Sequence, residues 1–385
     1  MNRSIAAILR QQAFSEPDIA ALLSATQPED VALIQRKAES VLLEHCGPAV
    51  YFRGLIEFSN ICSCNCRYCG IRRENSAVRR YQLTADAVLD AALRCAGLGF
   101  GSLVLQSGER RDEDFVEYVE KLICIIKQRT RSEALPDGLG ITLCVGEQSP
   151  GIYRRFFGAG SHRYLLRIET SSPRLFKRLH PSGQSFHERL ECLRSLREIG
   201  YQVGTGVMIG APGQTVEDLA RDVLFFRDED VDMIGMGPYI PHPQTPAGRR
   251  CPLTPARRKD LLRLSLLMIA VVRIVLRDVN IAATTALQTL DAAGRELGLR
   301  FGANVMMPQI TPKGVRRDYS LYEGKPLGDI YESEQGSRLE ERLRGIGRKP
   351  GVNEWGDSPH FAARGEKENE PGGQKPYTGA LPQGG

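Results

Sequence analysis

The chain has no run able to cross a bilayer. Its most apolar stretch, "LLRLSLLMIAVVRIVL" (261–276), is interrupted by Arg263 and Arg273 and is too short for a span, so it reads as a buried amphipathic helix. Residues 1–6 lack the charged start, apolar core and small-residue cleavage site of a secretory signal. The default expectation is a cytoplasmic location with no membrane partner. A one-sided charge is also missing: 51 Lys and Arg face 46 Asp and Glu, and the net +5 is spread along 385 residues. That is too weak a footprint for nucleic acid. Without a secretory signal the ten cysteines do not suggest a disulfide framework. Six of them (Cys46, Cys95, Cys124, Cys144, Cys192 and Cys251) are scattered through apolar patterns and read as small core hydrophobes. What remains, 42% hydrophobic and 25% charged residues, is ordinary for a soluble globular enzyme of one large or two small domains.

The periodicity predicts an alternation of strand and helix. Residues 1–48 read as helical, with "PEDVALIQRKAESVLLEHC" capped and amphipathic. Strands are predicted at 51–60, 102–108, 140–146, 163–170, 202–210, 232–240, 280–287 and 304–310. Helical patterns lie between them, at 84–99, 112–130, 185–200 and 215–229 among others. Eight such units imply a parallel sheet closed into a barrel. An open doubly wound sheet would show a glycine-rich phosphate turn after its first strand, and cysteines occupy that place here. The expected α/β architecture is therefore a (βα)8 TIM-type barrel with N-terminal helices and a disordered C-terminal tail. Its divisions are 1–48 (helical segment), 49–325 (barrel), 326–345 (extension) and 346–385 (tail). The end, "GEKENEPGGQKPYTGALPQGG" (365–385), has too few bulky apolar residues to offset its ordering entropy.

"CSCNCRYC" (62–69) places four cysteines in eight positions. Cys62 to Cys66 is C-x3-C, Cys66 to Cys69 is C-x2-C, and Cys64 falls between. Structural zinc usually takes two ligand pairs separated by a long spacer, and no second Cys/His pair follows. Three thiolates on one loop suit a [4Fe–4S] cluster with its fourth iron free, the open position a catalytic site needs. A zinc knuckle or incidental clustering is the alternative. The loop follows the first strand, at the C-terminal face of a barrel, where active sites lie.

C-x3-C-x2-C at this place, with Tyr68 before the last cysteine, resembles the motif of radical S-adenosylmethionine (SAM) enzymes. The resemblance implies that Cys62, Cys66 and Cys69 hold the cluster, that SAM chelates the free iron, and that Cys64 is spare. "QSGE" (106–109) resembles the family's Gly-Gly-Glu segment, making Ser107, Gly108 and Glu109 SAM-site candidates; an ordinary glycine turn is the alternative. "RIET" (167–170) places Arg167 and Glu169 on one face by the period of two. A charged pair on a buried strand is expensive unless used, and Glu169 is a candidate acceptor for the SAM ribose or amino group. Arg189, in the first turn of the helix starting near Ser185, is a candidate clamp for the SAM carboxylate, with Arg197 as a second. A solvated helix charge is the alternative for these. "GTGVMIGAPGQT" (204–215) resembles the segment that packs against adenine. His242, in the closing loop "GPYIPHPQTP" (237–246), reads as either structural or catalytic.

The ordered set "IEFSNICSCNCRYCGIRREN", "LVLQSGE", "RIETSSPRLFKRLHP", "GTGVMIGAPGQT", "GPYIPHPQTP", "NIAATTAL" and "ANVMMPQITP" is similar to the HydE family of [FeFe]-hydrogenase maturases, over about residues 50–325. This implies a role in H-cluster assembly. The substrate would be a cysteine-bound iron carbonyl–cyanide complex from the partner maturase HydG, with a one-electron donor and the other maturases as partners. Thr142 and Arg167 are expected to face the cavity, and Thr284 and Thr285, at the end of strand seven, to bind an anionic group; threonines are also common strand fillers. Met306 and Met307 are expected to line the barrel. Many family members carry a second iron–sulfur site, C-x7-C-x2-C, after strand eight. Residues 322–343 contain no cysteine here, so one [4Fe–4S] cluster is expected. The nearest rival is a methylornithine synthase acting on lysine, which calls for a free acid inside the barrel, and no unassigned acid stands at a strand end. Biotin synthase needs more cysteines on later strands, and HydG-type lyases carry a C-terminal cluster domain. A non-catalytic iron–sulfur carrier would need only the cysteine loop.

Overall fold

Eight parallel strands close on themselves in the computed structural model, which describes residues 4–328 and 337–369. They are β1 (Ala49–Ser59), β2 (Ser102–Ser107), β3 (Gly140–Cys144), β4 (Arg163–Leu165), β5 (Gln202–Thr205), β6 (Met233–Ile234), β7 (Asn280–Ala283) and β8 (Val305–Met306). Neighbours pair in chain order, and β8 returns to β1 with Val305 opposite Tyr51. The expected (βα)8 barrel is the observed fold. Several connecting helices open on a side-chain cap: Thr84, Asp112, Ser149, Ser185 and Thr215 each accept from the amide three residues on. The apolar stretch at 261–276 lies within the helix Pro255–Leu276, packed between barrel and N-terminal helices. Its two arginines are satisfied by backbone: Arg263 donates to Ala25 O (2.6 Å), and Arg273 to Gly302 O (2.9 Å) and Arg277 O (2.6 Å). No helix among the described residues is long and apolar enough to cross a membrane.

Two differences from expectation matter. Most strands stop earlier than the apolar pattern: β4 ends at Leu165 rather than 170, and β6 at Ile234 rather than 240. Beyond those points the chain turns into loops at the barrel mouth, where a short parallel pair, Met208–Ile209 with Gly237–Pro238, extends the wall. The second difference is at the C-terminus, where the segment expected to be a disordered tail from residue 346 is folded through Asn369. Strand β9 (Lys349–Gly351) adds to the start of β1, and the chain then crosses the base of the barrel. Arg53 and Asn280 both donate to Gly356 O at 2.9 Å, while Ser102 (2.7 Å) and Arg163 (2.9 Å) donate to Trp355 O. Arg163 also pairs with Asp357 at 2.6 Å. The floor is held largely through backbone carbonyls, which leave no apolar signature in a sequence. Helix Pro359–Asn369 follows, with Arg364 paired to Asp232 (3.0 Å) and His360 lying between Asp230 and Asp278. The remainder of the expected tail, 370–385, lies outside the described residues.

Candidate active site

The loop after β1 carries its cysteines into the mouth of the barrel. Cys62, Cys64, Cys66 and Cys69 all line one cavity, with Tyr68 among them. The end of β2 holds this loop: Ser63 N donates to Glu109 O (2.8 Å), and Glu109 N donates to Cys62 Sγ (3.4 Å). A Cβ on Gly108 would sit 2.4 Å from Ile61 O and 2.6 Å from Cys62 Cβ, so only glycine allows this approach. Gln184, which no sequence signal marked, bridges two thiols. It accepts from Cys66 Sγ (3.4 Å) and donates to Cys64 Sγ (3.3 Å). Burial pushes the Cys69 thiol up to about 12. A thiol raised this way needs a cation to become a ligand thiolate. Among the described residues no three His, Cys, Asp or Glu side chains stand ready in ligating geometry. The fit of an iron–sulfur cluster rests on the donor set: four thiols on one loop beside an open cavity. All four line it, so spacing rather than placement distinguishes Cys64.

Around this loop stand the other candidates. Glu169 adopts φ +66°, a left-handed conformation costing a non-glycine residue about 1–3 kcal/mol and typical of functional sites. One oxygen, Oε1, pairs with Arg167 at 2.9 Å, and Oε2 is buried without a hydrogen-bond partner. The two residues thus meet through a turn, not through strand alternation. Tyr68 Oη lies 3.4 Å from Glu169 Oε1 and 3.3 Å from His180 Nε2. His180 Nδ1 faces Phe176 O at 3.0 Å and therefore carries its proton, leaving Nε2 as acceptor. Burial holds that imidazole down at about 3, so it is neutral. Burial also holds the Tyr68 hydroxyl well above its usual value, with the neighbouring Cys66 and Glu169 charges adding to it.

Arg189 reaches the cavity from the first turn of its helix and is not a solvated charge. It is buried, ion-paired with Glu147, and donates to Arg167 O at 2.8 Å. Burial lowers this guanidinium's pKa, but Glu147, Tyr68 and Glu109 together outweigh it and leave it raised. Glu147 escaped the sequence reading. Arg111 ties its other oxygen (2.7 Å) to Glu109 Oε1 (2.9 Å), and Glu147 N donates to Glu109 Oε2 (3.1 Å). Ser107, Gly108 and Glu109 all line the cavity, as do Arg167, Thr284 and Thr285. Thr284 donates to Met236 O (3.2 Å), and Thr285 accepts from Arg295 (3.1 Å).

Two expected residues fall outside. Thr142 faces the barrel interior one layer lower, where Arg163 Nε donates to it at 3.2 Å. Arg197 faces away, donating to Asp230 Oδ2 (2.8 Å) and Asp230 O (2.6 Å). Met307 lines the cavity, whereas Met306 is buried in the main core. His242 is buried beside Gly70, whose Cβ would sit 2.6 Å from its ring. An acid does stand in the barrel, contrary to expectation: Glu57 on β1 lines the cavity, but Lys325 and Gln309 occupy its two oxygens.

The class this fold and loop define is confirmed by comparison: the family model of the radical SAM superfamily matches residues 56–226. The [FeFe] hydrogenase maturase subunit HydE of Thermotoga maritima is 40% identical over 321 residues, covering 83% of this chain and 86% of that protein. The chain belongs to the HydE family of radical SAM enzymes. A 3-methylornithine synthase of Methanosarcina acetivorans is 25% identical over 87% of this chain and 90% of its own length. The X-ray structure of the FeFe-hydrogenase maturase HydG from Carboxydothermus hydrogenoformans superposes with a TM-score of 0.74 at 18% identity, over 90% of this chain and 78% of that one. That likeness is one of fold.

Proposed function

We propose that this enzyme acts in [FeFe]-hydrogenase maturation, on a cysteine-bound iron carbonyl–cyanide precursor made by a HydG-type partner. One observation carries the reading. The thiols of the 62–69 loop, the unpartnered Oε2 of Glu169 and the guanidiniums of Arg167 and Arg189 face one cavity in a chain 40% identical to a HydE. Cys62, Cys66 and Cys69 would hold one [4Fe–4S] cluster, with Ser107, Gly108, Glu109, Glu169, Arg189 and Tyr68 around SAM. When bound and reduced by a one-electron donor, cluster and SAM supply the 5′-deoxyadenosyl radical. The protein's own part is positioning and exclusion. Glu169 Oε2 is left to accept from SAM, Arg189 offers positive charge to its carboxylate, and Arg167, Thr284 and Thr285 present donors to an anionic substrate.

A lysine mutase fits less well, because Lys325 and Gln309 already occupy the only carboxylate that β1 presents to the cavity. The experiment is quantitation of 5′-deoxyadenosine from the anaerobically reconstituted, reduced protein with SAM plus either the HydG-derived iron complex or lysine. Formation with the iron complex alone supports the reading, and formation with lysine alone replaces it.

A further inference from the structure

The cavity wall between β1 and the segment after β8 carries a buried ion pair to which the reading above gives no role beyond disfavouring lysine. Glu57 is 1% exposed at its side chain and Lys325, which reaches it from the segment after β8, is 8% exposed. Both oxygens of the glutamate are engaged, with Lys325 Nζ donating to Oε1 and Gln309 Nε2 donating to Oε2 at 2.8 Å. The lysine is only partly engaged. Of its three N–H groups one meets Glu57, one meets Tyr319 O at 2.9 Å, and the Tyr319 ring lies 4.9 Å from the ammonium. A third N–H has no acceptor among the described residues, and Lys325 lines the cavity. Two charges taken from water repay their desolvation only when further hydrogen bonds complete them. The lysine therefore has a donor to offer to whatever occupies the cavity.

We propose that Lys325 is a specificity-determining residue that donates to the α-carboxylate of an amino-acid substrate, on the β1 side of the cavity, away from Arg167 in the loop after β4. The inference rests on the radical SAM reading of the cavity and holds whether the amino acid carries iron or is free. The segment that supplies Lys325 also roofs the mouth. Leu321 O accepts from Gly70 N (2.8 Å), Asp318 O accepts from Asn60 Nδ2 (2.7 Å), and Glu323 N donates to Pro241 O (3.2 Å). Gripping the carboxylate therefore fastens the ligand to the roof.

The test is anaerobic calorimetry on the cluster-loaded protein with SAM, titrating L-cysteine and cysteamine, the same molecule without the carboxylate. The wild type prefers cysteine, and Lys325→Met removes about 10- to 100-fold of that preference, as expected for a hydrogen bond to a charged group. Lys325→Arg keeps part of it. Glu57→Gln, which retains the lysine, also keeps it and guards against misfolding of the lysine variants. A merely structural lysine would weaken both probes equally, and an unchanged cysteine-to-cysteamine ratio in Lys325→Met overturns the proposal. So does a wild type that binds neither probe or does not distinguish them. Failure of the maturase reading looks different: deoxyadenosine forms with lysine and not with the iron complex, and the same ratio is then measured with L-lysine and cadaverine.

Discussion

Replacing His360 with alanine should weaken the barrel floor at pH 6 and leave it unchanged above pH 9.5. His360 Nε2 lies 2.7 Å from Asp230 Oδ1 and Nδ1 lies 3.1 Å from Asp278 Oδ1. The bond to Asp230, then that to Asp278, raises the imidazole from 6.5 to about 9 against the opposing effect of burial. Arg197 and Arg364 also face Asp230, and Arg364 faces Asp232, so the histidine is one of three cations sharing these acids. At 1.36 kcal/mol per pKa unit the full shift is worth about 3 kcal/mol. His360 is 27% exposed and the two aspartates 38% and 32% exposed at their side chains, so about 2 kcal/mol is the better expectation. Because the folded value lies above the unfolded one, this contribution is complete below about pH 6.5 and is lost as pH rises through 9. The assay is built into the chain. Its single tryptophan, Trp355, lies in the floor, stacked on His162 at 4.5 Å with Lys127 4.2 Å above the ring. Anaerobic urea unfolding followed by tryptophan fluorescence should show His360→Ala about 2 kcal/mol less stable than wild type at pH 6, with the gap closing by pH 9.5. A gap that does not change with pH would refute the charge-based account.

Three further outcomes follow from the site. Cys66→Ala should abolish iron binding and SAM cleavage while Cys64→Ala leaves both largely intact; loss of iron in the latter would reassign the ligands. Glu147→Gln removes the counter-charge that orients Arg189, and SAM affinity by equilibrium dialysis should fall about tenfold, or about 1.4 kcal/mol; unchanged affinity would separate Arg189 from SAM. Gly108→Ala places a methyl against Ile61 O and Cys62, a strain of about 1–3 kcal/mol in the cysteine loop. Iron per chain after reconstitution should drop, and full loading would show that the loop yields.

The parts of the molecule that could be read in advance were those with a local pattern. Strand alternation and capped helices sufficed for the barrel, and cysteine spacing for the loop. Glu147 was invisible because its meaning comes from Arg189, 42 residues away on another element, and it follows Gly146, whose φ of +80° turns the chain there. Glu57 and Lys325 are 268 residues apart, and they become a pair only once the roof folds over β1. Arg197 shows the converse. It lies eight residues, about 2.2 turns, beyond Arg189, so the helix has both turned it about 80° and carried it past the cavity to Asp230. Glu169 does meet Arg167, but a left-handed turn, not the expected extended strand, brings it there.

The floor also imposes a timetable on the molecule's birth. The cysteine loop is made by residue 69, but the strap under the barrel is not complete until residue 358, about 290 residues later. At a translation rate of about 5–20 residues per second, that is roughly 15–60 s during which the thiols exist in an unsealed shell. Roof and floor are both made after the eighth strand, so the cavity is closed after the barrel is complete, from above and below, by the segments that follow that strand. A ribosome stalled near residue 340 would release every cysteine and every strand of the barrel in a cup with no base.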